Sequence, residues 1–348
     1  MAAKSGNGKR DASLGVSNTG TTYTASVGVG SPPTQYKLIV DTGSSNTWVG
    51  VNGVYVQTST SHATSDKVSV TYGSGSFSGQ EYTDDVTLGS LTIKSQSIGV
   101  ASSSSGFDGA DGILGIGPVD LTKGTLSPDD SATIPTVVDN LYSQGSIQSS
   151  VLGVQFKPVG ILEGEGKLDF GAVDTEAIDG DVMYVPITTT SPANEFWGID
   201  QSITYGDSTS ILSSTAGIVD TGSTLVLIAT DAFERYQQAT GAVTDNVTGL
   251  LRITLGQYEN LKDLNFNIGG ATFPLTPNAQ IFPRSLNAEI GGSTDAIYLM
   301  VGDLGSSSGD GLDFINGYAF LERYYSVYDT DNKRVGLART GHTDSKSN

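Results

Sequence analysis

Val40-Asp41-Thr42-Gly43-Ser44-Ser45 has a near-copy in the same chain, Val219-Asp220-Thr221-Gly222-Ser223-Thr224. In each place an apolar run, Leu38-Ile39-Val40 or Gly217-Ile218-Val219, leads straight into Asp-Thr-Gly-Ser. Such a run reads as a buried strand, and the glycine that follows it as a tight turn presenting a carboxylate. The two aspartates stand about half the chain apart, so the sequence reads as two lobes of similar size, each bringing one carboxylate to a shared place. A lone Asp-Thr-Gly is an ordinary polar turn; two copies at this separation are not.

Paired carboxylates held about 3 Å apart do not both ionise, because like-charge repulsion raises one pKa strongly. Such a pair shares one proton. Its ionised member draws a proton from a water while the protonated member donates to a substrate carbonyl. Gly43 and Gly222 let each turn bend and let the two backbones approach. Thr42 and Thr221 carry hydroxyls able to reach across to the opposite loop, and Ser44 and Ser223 can bond their own aspartates.

The segments Asp41-Thr42-Gly43-Ser44-Ser45-Asn46-Thr47-Trp48 and Asp220-Thr221-Gly222-Ser223-Thr224-Leu225 closely resemble the two active-site loops of the pepsin-like aspartic endopeptidases. The resemblance runs from about residue 22 to 339. It implies an all-β, bilobal pepsin-like acid protease fold, with two β-barrel-like lobes, a cleft between them and a few short helices. The lobes are expected at 11–185, holding the first loop and a flap, and at 186–340, holding the second loop. Asp41 and Asp220 are implied as the catalytic residues. Gly43, Tyr72, Gly73, Ser74, Gly222, Ser223 and Thr224 are implied as substrate-binding, and Thr42, Ser44, Thr221 and Trp48 as support for the site. The family needs no metal and no cofactor. A peptide or protein substrate, statine-type (pepstatin-like) inhibitors, a monomeric state and a secreted, extracellular location are expected with it.

Composition agrees with that reading. A chain of 348 residues exceeds what one hydrophobic core usually serves, so two domains are the default. The 45 glycines and long Ser/Thr runs suit many strands joined by many turns. Lys and Arg number 18 against 37 Asp and Glu, a formal charge of −19, which argues against nucleic acid and anionic membrane as partners. Acid suits such a chain: with every carboxylate protonated the positive charge comes only from those 18 residues and the 2 histidines. The absence of cysteine removes thiol proteases and thiolate metal sites. A Ser-His-Asp triad would need His62, in a Ser/Thr-rich loop, or His342, in a polar tail. The match Gly305-Ser306-Ser307-Ser308-Gly309 lacks the helix that a nucleophile elbow requires and reads as loop. Residues 1–20 hold no apolar signal-peptide core, and the dibasic Lys9-Arg10 reads as the possible end of a pro-segment.

Along the chain, Val68–Tyr72 and Phe77–Tyr82 flank Gly73-Ser74-Gly75-Ser76, a β-hairpin with a glycine-rich tip. Placed after the first Asp-Thr-Gly loop it resembles the family's flap, with Tyr72 covering the substrate. Asp111–Gly117 reads as a buried strand behind the first loop, with Phe107 and Ile113 as walls of the substrate's acyl side. The spacing predicts a helix over Ile134–Gly145 and another over Asp231–Ala239, capped by Thr230 and stopped by Gly241. Leu168–Gly171 and Val182–Ile187 read as strands of a sheet linking the lobes. Asn246-Val247-Thr248 is the only glycosylation sequon. Phe314-Ile315-Asn316-Gly317 stands where the family has Ile-Leu-Gly, so Asn316 is polar where an apolar residue is expected. With Ser74 in the flap and no cysteines, this departure favours a fungal, polyporopepsin-like branch. The alternative reading is a catalytically silent pepsin-like binding or inhibitor protein, whose mark would be a damaged loop or flap.

Overall fold

The computed structural model describes residues 12–51, 53–160 and 166–348. Lys9-Arg10 and the first residue of the expected first lobe lie outside the described residues.

The strand Thr34–Asp41 delivers the first aspartate at its last position and runs parallel to Gly112–Gly115, with Val40 opposite Leu114 and Asp41 opposite Gly115. The short strand Trp48–Val49, which leaves the loop, pairs antiparallel with the other end of Gly112–Gly115. The second half repeats this arrangement. Thr209–Val219 leads into Asp220 and runs parallel to Phe314–Asn316, with Val219 opposite Asn316, while Val226–Ile228 returns antiparallel to the same strand. Each aspartate therefore sits where a parallel pair is wedged into a mostly antiparallel sheet, with a second parallel pair beside it, Trp48–Val49 with Leu91–Ser105 in one half and Val226–Ile228 with Val301–Asp303 in the other. Glycine is required at the wedge: a Cβ at Gly115 would lie 2.6 Å from the Asn46 carbonyl oxygen.

Three sheets carry the fold among the described residues, of fourteen, seven and three strands. The largest joins both ends of the chain. Ala12–Asn18 pairs with Gly166–Phe170, Val151–Gln155 pairs with Tyr324–Asp329, and Asp179–Pro186 pairs with Arg334–Arg339. Alternation along Ala12–Asn18 buries one face, at Ala12, Leu14 and Val16, whereas Tyr324–Asp329 is buried throughout.

The flap hairpin is formed by His62–Thr71 and Ser76–Leu88, and the tip is closed by the Tyr72 N–H donating to the Gly75 carbonyl at 2.7 Å. His62 opens that strand instead of lying in a loop, and it is exposed. Beneath the hairpin Trp48 is fully buried. It stacks on Phe77 with ring centroids 4.3 Å apart and meets the edge of Phe107 at 5.1 Å. Burial of an indole stabilises by roughly 4–6 kcal/mol, so this cluster anchors the flap stem. Phe107 and Ile113 belong to it, forming a wall below Tyr72.

Helices are few and short, and two differ from expectation. The first spans Val137–Ser143, capped by a reciprocal Thr136–Asp139 box. Pro135 therefore precedes the helix, because Thr136 makes the stronger start. The second spans Thr230–Thr240, so Thr230 is its first residue and not its cap. The Thr230 hydroxyl donates instead to Asp303 at 2.7 Å, and the N-cap position falls to Ala229. Gly241 ends that helix at φ +68°, as expected.

Candidate active site

The two Asp-Thr-Gly loops meet. Thr42 N–H donates to Thr221 Oγ1 at 2.9 Å, and Thr221 N–H donates to Thr42 Oγ1 at 3.0 Å. Each hydroxyl then donates onward to the strand of the other half, Thr42 to the Val219 carbonyl at 3.3 Å and Thr221 to the Val40 carbonyl at 2.9 Å. Both threonines are buried, so these four bonds satisfy groups that have no access to water.

This lock presses the two carboxyl groups together. A Cβ at Gly43 would stand 2.6 Å from Asp220 Oδ1, and one at Gly222 would run into Asp41. Within each loop the carboxylate is held from its own side. Gly43 N–H donates to Asp41 Oδ1 at 2.8 Å and Gly222 N–H to Asp220 Oδ1 at 2.8 Å. The hydroxyls of Ser44 and Ser223 donate to the remaining oxygens, Ser223 at 2.6 Å. Burial, and next the charge of Asp220, push Asp41 far above the ordinary carboxylate range. The bonds from Ser44 and Gly43 oppose that rise without cancelling it. A carboxyl group that keeps a proton beside a second carboxyl is what general acid–base chemistry on a carbonyl needs.

Tyr72 leans over this pair from the flap. Its hydroxyl accepts from Trp48 Nε1 at 3.0 Å and faces Ser44, and burial together with the nearby Asp41 raises its pKa. Gly73 and Ser74 are exposed at the tip. Thr224, like Ser223, spends its hydroxyl within the fold, on the Thr21 carbonyl at 2.6 Å. The carbonyls of Ser223 and Thr224 accept from Tyr318 and Ala319, at the start of the single-turn helix Tyr318–Leu321.

Ile116 lies in the stretch read as a buried strand behind the first loop, but the contacts it makes there escaped sequence reasoning. Ile116 N–H donates to the Asp41 carbonyl, and the Trp197 carbonyl accepts from Val219 N–H. Trp197 Nε1 in turn reaches the Ile116 carbonyl at 3.4 Å, tying the backs of the two loops together. Tyr328 is buried with its hydroxyl facing Ser326 and Thr42. Nothing local in the sequence marks these positions as meeting. The Gly305–Gly309 stretch is loop, and Asn246 is exposed on a turn.

Comparison with known proteins agrees with the geometry. The eukaryotic aspartyl protease family model matches residues 22–340. Polyporopepsin of Irpex lacteus is 66% identical over 337 residues, covering 97% of this chain and 99% of that protein. Gastricsin of Cavia porcellus is 31% identical, covering 91% and 79%. Bovine (Bos taurus) pepsin A is 29% identical, covering 91% and 84%. The crystal structure of the aspartic proteinase from Irpex lacteus superposes with a TM-score of 0.95 at 66% identity, over 97% of this chain and 100% of that one.

Proposed function

The chain belongs to the eukaryotic aspartyl protease family and is an aspartic endopeptidase, and from that premise we propose that Asp41 and Asp220 activate one water between them. The observation that carries this reading is the reciprocal threonine lock, which holds two carboxyl groups together with mirrored donors on each. The ionised carboxylate takes a proton from the water, whose oxygen bonds to the peptide carbonyl carbon. The protonated member gives its proton to the carbonyl oxygen. On collapse of the tetrahedral adduct the C–N bond breaks as the carboxyl that took the water's proton passes it to the amine nitrogen. A hydroxyl of the adduct returns its proton to the other carboxylate. The shared proton belongs to the pair and not to either residue.

An extended peptide lies across the cleft, gripped by bonds from Gly73 and Ser74 of the flap and by main-chain bonds from Gly43 and Gly222, beside Ser223 and Thr224, with Tyr72 closing over it. The Phe107–Ile113 wall favours a hydrophobic residue beside the cut. The enzyme works as a monomer of two lobes, 11–185 and 186–340, is secreted, and binds statine-type inhibitors. No helix among the described residues is long and apolar enough to cross a membrane. The silent-binder reading is disfavoured because both loops and Tyr72 are intact.

Cleavage of a denatured protein should be followed from about pH 2 to 8, with and without a statine-type inhibitor, beside Asp41→Asn. Acid activity lost to both perturbations supports the dyad. Inhibitor binding without turnover at any pH supports the silent binder, and turnover that ignores both perturbations means other residues act.

A further inference from the structure

The strand that feeds Asp220, Thr209–Val219, lies between Gly198–Tyr205 and Phe314–Asn316. Neighbouring strands are about 4.8 Å apart, so side chains of the two flanking strands meet only across the face of the middle one. Gln201 and Asn316 do so. Gln201 Nε2 donates to Asn316 Oδ1 at 3.1 Å, and Asn316 Nδ2 donates to Gln201 Oε1 at 2.8 Å. Both residues are buried, at 1% and 0% exposure. The Asn316 carbonyl also accepts from the Asp220 N–H at 3.1 Å. One residue therefore closes the amide pair and holds the backbone of a dyad aspartate.

The first half does this without polar groups. The position opposite Val40 is Leu114, fully buried, whereas Asn316 is the residue opposite Val219. Two primary amides in a core are costly unless each finds a partner, and these answer one another. A directional pair fixes strand register in a way that a leucine does not.

We propose that Gln201 and Asn316 form a clamp across the strand that sets the position of Asp220, which makes them positioning residues for peptide hydrolysis. This rests on the dyad reading above. The titratable groups facing the dyad are Tyr72 from the flap and Tyr328 from Tyr324–Asp329, and substitution of the clamp leaves both in place.

The test is the paired variant Gln201→Leu with Asn316→Leu, which restores an apolar core like that of the first half. Turnover is scored per site titrated with a statine-type inhibitor. The expected result is a kcat lower by about tenfold with KM unchanged. The alkaline limb of the kcat/KM profile is expected to move by about half a unit or more. The exchanged pair Gln201→Asn with Asn316→Gln keeps both amides and should restore the parent profile. Should the leucine pair yield no folded protein, Gln201→Met is measured by the same criteria. Parent-like kcat and parent-like alkaline limb in the leucine pair, or in Gln201→Met where that pair does not fold, would overturn the clamp. A parent enzyme with no acid activity would strike the dyad reading instead.

Discussion

Around Asp41, Gly43 N–H and the Ser44 hydroxyl each take one carboxylate oxygen, and around Asp220, Gly222 N–H and the Ser223 hydroxyl do the same. The threonine lock treats the two loops alike as well. Behind the loops the halves part. Leu114 backs the first, and the Gln201–Asn316 pair backs the second. Above them they part again, because the flap with Tyr72 rises from the first half alone. Symmetry is kept in the donors that hold the two carboxyl groups. It is dropped in the layers behind those groups and in the hairpin above them.

The largest effect tests the symmetric layer. Asp41→Asn and Asp220→Asn should each lower kcat by about 10⁴-fold at acid pH, and a large inequality between them would break the equivalence of the two loops. Gly43→Ala and Gly222→Ala come next. Each places a methyl against the opposite carboxylate and should cost about 10²-fold in kcat/KM, since a displacement of about 1 Å is enough.

Among the carboxyls buried away from the dyad, Glu81 and Glu322 have raised pKa values, one in each expected lobe, and stability should report them. Burial holds Glu81 at a pKa raised to about 7, and does the same for Glu322 despite Arg323 beside it at 3.5 Å. A carboxyl whose folded pKa lies above its unfolded value contributes stability that is present below about pH 4.5 and is lost as pH rises through about 7. Urea unfolding near pH 4 and pH 7.5 should show that loss, and Glu81→Gln should reduce it by about 2–3 kcal/mol, at about 1.36 kcal/mol per unit. An equal pH dependence in the variant would mean that Glu81 is not a contributor. The smallest effect probes the asymmetric flap. Tyr72→Phe removes the acceptor of Trp48 Nε1 and should cost about 1–2 kcal/mol, read as a several-fold fall in kcat/KM with the dyad's pH profile retained.

Both aspartate loops, the flap hairpin and the strands around them were legible in the sequence because each is a local pattern: an apolar run, a glycine turn, an alternation. Asn316 was legible as an exception, and its reason was not. Its partner Gln201 lies 115 residues away, and periodicity carries no information about which strands become neighbours. Thr230 failed as a cap for a related reason: Asp303, a distant residue, offered its hydroxyl a better acceptor than the helix offered a donor. The mutual hydroxyls of Thr42 and Thr221 could be read because the motif is duplicated, so one half announced the partner of the other.

The largest sheet has a consequence in time. Val151–Gln155 is bordered on one side by Gly166–Phe170 and on the other by Tyr324–Asp329. On a ribosome the first of these neighbours arrives almost at once, while the second emerges about 170 residues later, at roughly 5–20 residues per second. For that interval the nascent chain carries a half-made sheet with an open, apolar-sided edge, the kind of edge that recruits other strands. Closure of the sheet is a late event of high sequence separation, so refolding from denaturant should be slow and should yield more active enzyme as the protein concentration is lowered.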